Sequence, residues 1–356
     1  MDRKYKVVVA GMGKRGMHHA AAFQANGRFE VAGICDIDQT RLDAAASKLG
    51  VAVKGTDAAQ VAAEVKPDVF CFCTMANVRS SMIRIGIESG ARLIAMEKPV
   101  ALTSAEGMEV KRLVDSSGVK VVVSHQHRYG KHYQAVKEVI ASGELGRIHT
   151  VYGTATGWMM HMISHLIDYM RWYNGEARAE WVMAQAAGRG KLADAHPSPD
   201  YIAGFIQFAN GVRGVVECGA GAPDVPEVDY WWRKCRIGAQ GTDGYAEVLT
   251  GGGWRAVTKQ RASSGDGCMN YDLDMPPYIQ QIAGWLDDDR QVHPCNFGSA
   301  YQGLEIMMAF IRSAAGGGQI ALPLTDPADE LEMLRASLPA RKVLLSMQAN
   351  AKEYWS

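Results

Sequence analysis

The sequence predicts two folded domains in one chain of 356 residues. The first, over residues 1–124, is an α/β domain with a doubly wound parallel sheet; the second, over 125–356, is an α+β domain with a large mixed or antiparallel open sheet. Three observations carry this. The chain is longer than one hydrophobic core ordinarily serves. Its first third alternates continuous apolar runs with helix-like stretches, the mark of a parallel sheet covered on both faces. After residue 130 that alternation gives way to hairpin patterns.

In chain order, "YKVVVA" (5–10) is a β-branched strand that stops at "GMGKRG", and "KRGMHHAAAFQAN" continues it as a helix. "FEVAGICD" is the second strand. Helices at 39–49 and 57–65, the strand "DVFCFC" (68–73), a helix at 78–89, "RLIAM" (92–96), a helix at 103–117 and "VKVVV" (119–123) complete the first domain. Beyond it come a helix at about 131–142, the strand "RIHTVYGTATG", the hairpin "YIAGFIQFANGVRGVVECGAG" and a strand-turn-strand unit, "GYAEVLTGGGWRAVTKQ". Asn210-Gly211 suits a type I′ turn between the hairpin strands. Helices are expected at about 160–173, 276–289, 299–315 and 326–349, the last placed to pack back on the first domain. An open sheet with one uncovered face predicts burial against a second copy, hence a homo-oligomer.

Chemistry first shows in Gly11-x-Gly13-x-x-Gly16, between a strand and a helix. The first glycine permits the tight turn, the second lets backbone approach a pyrophosphate, and the third lets helix pack on strand. Met12, Lys14 and Arg15 share the loop, whose following helix offers unpaired N–H groups to phosphate. Asp36 closes the second strand, twenty residues after Gly16. A carboxylate there accepts hydrogen bonds from both adenosine ribose hydroxyls and repels a 2′-phosphate, so the Rossmann-type domain is expected to hold NAD in preference to NADP. Arg41 pulls the other way, since a guanidinium near this position can stack on adenine or bind a phosphate.

Composition excludes other classes. Hydrophobic residues make up 47% and charged residues 21%, which suits a chain that folds throughout. Thirty-eight Lys plus Arg balance thirty-eight Asp plus Glu, leaving no global field for nucleic acid or an anionic membrane. The N-terminal apolar run is too short for a signal core or a membrane span. Seven cysteines, odd in number and mostly within apolar strands, suit reduced thiols in a cytoplasm.

"GWMMHMISHLIDYM" (157–170) sets His161 and His165 one helical turn apart, so both imidazoles share a face. They fit packed core residues, metal ligands, or an acid and base. Met162 follows His161, so H-E-x-x-H is absent, and two histidines alone do not close a zinc site; no metal is expected. Trp158 and "YWWR" (230–233) offer flat platforms to a sugar ring or simple packing, and the methionines 159, 160, 162 and 170 read as adaptable packing.

"EKP" at 97–99, following the glycine loop by about eighty residues, together with "VAGMGKRG", "GELGRI", "HLIDYM" and "IALPLTDPADELE", resembles the glucose-fructose oxidoreductase / inositol dehydrogenase / MocA (Gfo/Idh/MocA) family over essentially the whole chain. The resemblance implies a nicotinamide-dependent enzyme acting on a CH–OH group of a sugar, polyol or related cyclic compound. It implies that Lys98, held extended by the proline after it, meets the reacting hydroxyl, and that His165 is the general acid/base. His161 stands where the family usually has Asp, so the two imidazoles are expected to titrate as a coupled pair. Thr74, Asn77, Glu97, Lys98 and Gln126 are expected at the dinucleotide, and Lys98, Arg128, Trp158, His161 and His165 at the substrate. In "SHQHRY" an extended backbone would set Gln126 and Arg128 on the face opposite His125 and His127. Two other functions stay open: a redox-neutral enzyme with tightly held NAD that oxidises a sugar transiently, and a non-catalytic NAD-sensing regulator on the same fold.

Overall fold

The computed structural model describes residues 4–339 together with Val343. In the first unit, β1 (Tyr5–Ala10), α1 (Lys14–Ala25), β2 (Phe29–Cys35), α2 (Gln39–Leu49), β3 (Val53–Gly55), α3 (Ala58–Val65), β4 (Val69–Phe72), α4 (Arg79–Glu88), β5 (Leu93–Met96), α5 (Ser104–Ser117) and β6 (Lys120–Val123) follow in order; the short β3 is a strand that the sequence pattern does not announce, and the other elements lie where the sequence implies. The strands pair in parallel in the order β3-β2-β1-β4-β5-β6. α2 and α3 begin where side chains take up their orphan N–H groups: Asp38 accepts from Arg41 N at α2, and Asp57 from Ala59 N and Gln60 N at α3. Strand order reverses between β1 and β4, and ligands of such sheets bind beyond the strand ends at that crevice. The glycine loop, Asp36, Thr74 and the Glu97-Lys98 pair all lie just past strand ends.

The second unit holds α6 (Lys131–Ala141), β7 (Ile148–Ala155), α7 (Met159–Tyr173), β8 (Ala179–Ala187), β9 (Tyr201–Phe208), β10 (Arg213–Gly219), β11 (Cys235–Gly241), β12 (Gly244–Leu249), β13 (Gly253–Thr258) and β14 (Ala262–Gly265). Its nine-stranded sheet runs β14-β13-β12-β11-β7-β10-β9-β8, ended by a short β15 (Ile320–Ala321). Pairing is antiparallel except between β7 and β10, so the sheet is mixed. α7 lies on one face of it. Gly153 of β7 makes that approach possible, because a Cβ there would stand 2.9 Å from Met170 Sδ and 3.1 Å from Leu166 Cβ. On β8 and β9 the cross-strand neighbours Met183 and Phe205 are exposed.

Three expectations change. In the β9–β10 hairpin only Gly211 takes a positive φ (83°), and Gly211 N donates to Phe208 O at 2.9 Å. The turn is therefore a three-residue loop with its glycine in the left-handed position, rather than type I′. The second domain is also not everything after residue 124. The first unit comprises the chain through Ala101, Glu106–Tyr129 and Asn270–Tyr301, while Leu102–Ala105 belongs with the second. The reason is α8 (Tyr271–Asp287), which buries Met275, Tyr278, Ile279, Ile282, Ala283 and Leu286 in the first unit's core. α9 (Phe297–Gly316) then carries the chain into the second unit. Finally, α8 is the helix that returns, whereas α10 (Glu330–Ser337), the last helix among the described residues, is held within the second unit, Glu330 accepting from Ser104 N and Arg312 Nε. The rest of the helix expected to 349, apart from Leu338, Pro339 and Val343, lies outside the described residues.

Candidate active site

In the first unit the three loop glycines have three different reasons to be glycine. Gly11 has φ 87°, and a Cβ on it would stand 2.7 Å from Cys73 O. Gly16 sits so close to the strand end that its Cβ would meet Gly11 O at 1.7 Å. A Cβ on Gly13 would meet nothing nearer than an Arg41 guanidinium nitrogen at 3.9 Å. Protein packing thus explains Gly11 and Gly16 but not Gly13, and the space above Gly13 fits a pyrophosphate laid against backbone. Gly13 is also the N-cap of α1 without a side-chain cap, so the helix N–H groups point to the same place.

Asp36 is buried, and both its oxygens are engaged: Oδ2 accepts from Met12 N at 2.6 Å and Oδ1 from Asp38 N at 2.9 Å. Its charge is thereby fixed at the end of β2. Arg41 lies 3.8 Å from it and pairs with Asp38 at 3.0 Å, half of its side chain open to solvent. Lys14 is exposed, and Arg15 lays its guanidinium 3.9 Å from the centre of the Tyr271 ring. Tyr271, on α8, is a neighbour that no local motif announced.

Beyond β5, Glu97 and Lys98 are partly buried. Burial opposes the Glu97 charge, but the His19 hydrogen bond, the His19 charge, Lys98 and Arg15 outweigh it and hold the carboxyl down to about 2. Burial drives the Lys98 ammonium down to about 8, with Arg15 and Arg79 adding to it and Glu97 opposing. A lysine so poised ionises near the working range of an acid or base. The strand end is clamped from behind. Arg79, fully buried, donates to Pro99 O at 3.0 Å, Thr74 O at 3.2 Å and Lys98 O at 3.2 Å. His19 Nε2 stands 3.2 Å from Glu97 Oε1. Neither positioning residue was visible in the sequence, since each acts from a distant element. Thr74 Oγ1 is buried with no protein partner, as a ligand-facing hydroxyl would be, while Asn77 is exposed in the turn Ala76–Val78.

The alternation expected for "SHQHRY" does not exist, because Gln126–Tyr129 forms a 3-10 turn. His125, Gln126, His127 and Arg128 are all buried, so facing cannot be read from odd and even positions. Gln126 Oε1 accepts from Ser124 Oγ at 2.7 Å, and His127 Nδ1 lies 2.8 Å from Asp274 Oδ2 on α8. α8 thus braces this turn.

In the second unit, His161, Met162, Ser164, His165 and, further on, Trp172 are the partly exposed residues of α7, and the rest of the helix is buried. His165 Nδ1 lies 3.2 Å from the hydroxyl of buried Tyr169, one turn on, which fixes the ring's orientation. Trp158 is not an open platform: it is 5% exposed, packed on Trp231 with the Lys191 ammonium 4.7 Å over its ring. Tyr230 is exposed and stacks at 6.0 Å on partly buried Trp232, with the Arg233 guanidinium lying over both rings. The loop between β8 and β9 brings Asp194 and His196 to His161, with the two imidazole centroids 3.8 Å apart. Sequence reasoning missed this pair because 33 to 35 residues separate it from His161.

Comparison with known proteins agrees with this geometry. The family model described as "Oxidoreductase family, NAD-binding Rossmann fold" matches residues 5–125, and the GFO/IDH/MocA C-terminal domain matches 152–247, together more than half of the chain. The chain belongs to the Gfo/Idh/MocA family. Inositol 2-dehydrogenase of Rhizobium meliloti is 23% identical over 220 residues, covering 58% of this chain and 66% of the relative, just under two thirds of its length. Among solved structures, an oxidoreductase from Agrobacterium radiobacter, in complex with NAD+, L-tartaric acid and magnesium, superposes with TM-score 0.76 at 17% identity over 89% of this chain and 98% of that one. The WlbA dehydrogenase of Bordetella pertussis, bound to NADH and UDP-GlcNAcA, gives 0.72 at 23% identity over 91% and 100%. At these identities the structures establish the shared fold. No helix among the described residues is long and apolar enough to cross a membrane.

Proposed function

We propose that the protein is an NAD-dependent oxidoreductase acting on a CH–OH group of a sugar, cyclitol or glycoside. The observation that carries this is the first unit's strand-end arrangement: a glycine cradle open only at Gly13, beside a lysine that burial brings to about 8. NAD, when bound, supplies the hydride acceptor or donor. The chain's own residues handle the oxygen and its proton. Lys98 donates a hydrogen bond to the reacting oxygen and offsets the alkoxide charge that develops. His165, oriented through Tyr169, takes the hydroxyl proton in oxidation and returns it in reduction. Glu97, held ionised by His19, keeps Lys98 protonated up to about pH 8. The fixed charge of Asp36 favours NAD over NADP. The relatives named above support the substrate class, since one is an inositol dehydrogenase and another binds a nucleotide sugar.

We also propose a homo-oligomer formed on the uncovered sheet face, where Met183 and Phe205 are exposed side by side. The test of the chemistry is a pair of variants. Lys98→Ala and His165→Ala should each lower kcat by about 100-fold or more while NAD still binds. Turnover at the normal rate in either variant removes that residue from the mechanism.

A further inference from the structure

His161, Asp194 and His196 place one ligand atom each within 4.8 Å of one another, and all three residues are partly exposed. Two neutral imidazoles and a carboxylate are the donor set of three-ligand zinc sites that keep further positions for water or substrate oxygen, and they suit first-row divalent ions better than magnesium or calcium. In a tetrahedral zinc site neighbouring ligand atoms are about 3.3 Å apart; the His161 and His196 rings lie against each other, centroids 3.8 Å and planes 35° apart, so one ring must turn about its Cβ–Cγ bond for both nitrogens to face a common ion.

The loop that brings the second histidine is fixed, not free. Trp158 gives α7 no side-chain cap; instead Ser198 Oγ, fully buried, accepts from Met160 N at 3.1 Å and so ties the loop to the first turn of the helix that bears His161. Ser198 Oγ donates in turn to His196 O at 3.0 Å, and Ser198 N donates to Lys191 O at 3.1 Å. Asp194 Oδ1 accepts from His196 N at 3.0 Å, which folds the Asp-x-His segment so that both side chains meet His161. The Lys191 ammonium, 3.8 Å from Asp194 Oδ2 and seated on Trp158, is the competing cation. Among the described residues one other cluster has comparable spacing, His19, Cys71 and Cys73. It is a poor metal site, because His19 already meets Glu97, and the hydrogen bond with Cys71, together with burial, pushes the Cys73 thiol well up, away from the thiolate a metal needs.

We infer that His161, Asp194 and His196 form a binding site for a zinc-like divalent ion in the second unit, with open coordination positions on the side of α7 that carries His165. The site stands on the second unit alone and does not depend on the redox reading. The test uses full-length protein stripped with a chelator, then dialysed against Zn2+ or Co2+. Wild type should hold about one ion per chain, and its cobalt form should show visible ligand-field bands. His196→Ala and Asp194→Asn should each bind at least about 100-fold more weakly, and Ser198→Ala, which loosens the loop but removes no ligand, about 10-fold more weakly. Far-UV circular dichroism and a cooperative thermal melt report that each variant is folded; should His196→Ala fail that control, His196→Gln replaces it. Absence of stoichiometric metal in wild type, or unchanged affinity in the ligand variants, overturns the site. Loss of NAD binding by wild type would instead strike the proposed function and leave the metal result standing.

Discussion

Gly13→Ala and Gly16→Ala are the same chemical change three residues apart in one loop, and the structure gives them opposite consequences. At Gly16 the added methyl would stand 1.7 Å from Gly11 O, about half a normal contact distance, so helix α1 must move away from β1. Overpacking of this kind costs about 3 kcal/mol, which lowers Tm by roughly 5–10 °C in a domain of this size. At Gly13 the backbone already has φ −67°, a value alanine adopts freely, and the nearest atom is 3.9 Å away. Stability should therefore hold or rise by about 0.5 kcal/mol as the unfolded chain loses freedom. The new methyl occupies the approach to the pyrophosphate, so NAD affinity should fall about tenfold or more, at least about 1.4 kcal/mol. Differential scanning fluorimetry and isothermal titration with NAD read the two effects separately. Normal NAD affinity in folded Gly13→Ala protein would refute the pyrophosphate reading, and an unaffected Tm in Gly16→Ala would refute the packing argument.

Glu97→Gln removes the main counterweight to burial at Lys98, so the Lys98 pKa should fall. Because the proposed mechanism uses the protonated amine, kcat/KM at saturating NAD should decline above about pH 8 in wild type and from a lower pH in the variant; identical profiles would contradict it. Fully buried His293 is lowered by burial to about 4, opposed by its hydrogen bond to Tyr278 O, and its Nδ1 accepts from Cys295 N, so protonation would break that bond. The unfolded chain binds this proton more readily between about pH 4 and 6.5, so stability should be full above that window and fall by about 3 kcal/mol as pH drops through it. Urea titrations of His293→Gln should show a flatter pH dependence than wild type, and parallel curves would count against the assignment. Asp36→Ser should raise the NADP to NAD preference, measured as the ratio of kcat/KM values, by about tenfold or more; an unchanged ratio would mean that Arg41, not Asp36, governs the choice.

What the sequence made legible was local. A strand that stops at glycines, an acid at the next strand end and a lysine before proline are each confined to a few residues, and the structure places all of them at the end of one parallel sheet. The return of α8 to the first unit was not legible, because its apolar stripe fits any core and only Tyr278 and Ile282 in place show which one. Arg79 and His19 escaped for a related reason: a buried cation in a helix looks like a surface residue until the carbonyls and the carboxylate that it meets are located. Facing in "SHQHRY" failed because strand alternation was extended past the strand into a 3-10 turn. His161 was legible as unusual, but its companions Asp194 and His196 come from a loop between two strands whose pairing no short pattern records.

The most direct test of the central claim combines two readings on purified protein. One denatures it and identifies any released nucleotide by mass; the other follows absorbance at 340 nm while native protein is given NAD and a panel of inositols, sugars and glycosides. NADH should accumulate in step with an oxidised, ketone-bearing product. Product without accumulated NADH, from protein that retains NAD, would mean a redox-neutral cycle, and neither nucleotide binding nor turnover would contradict the enzyme reading altogether.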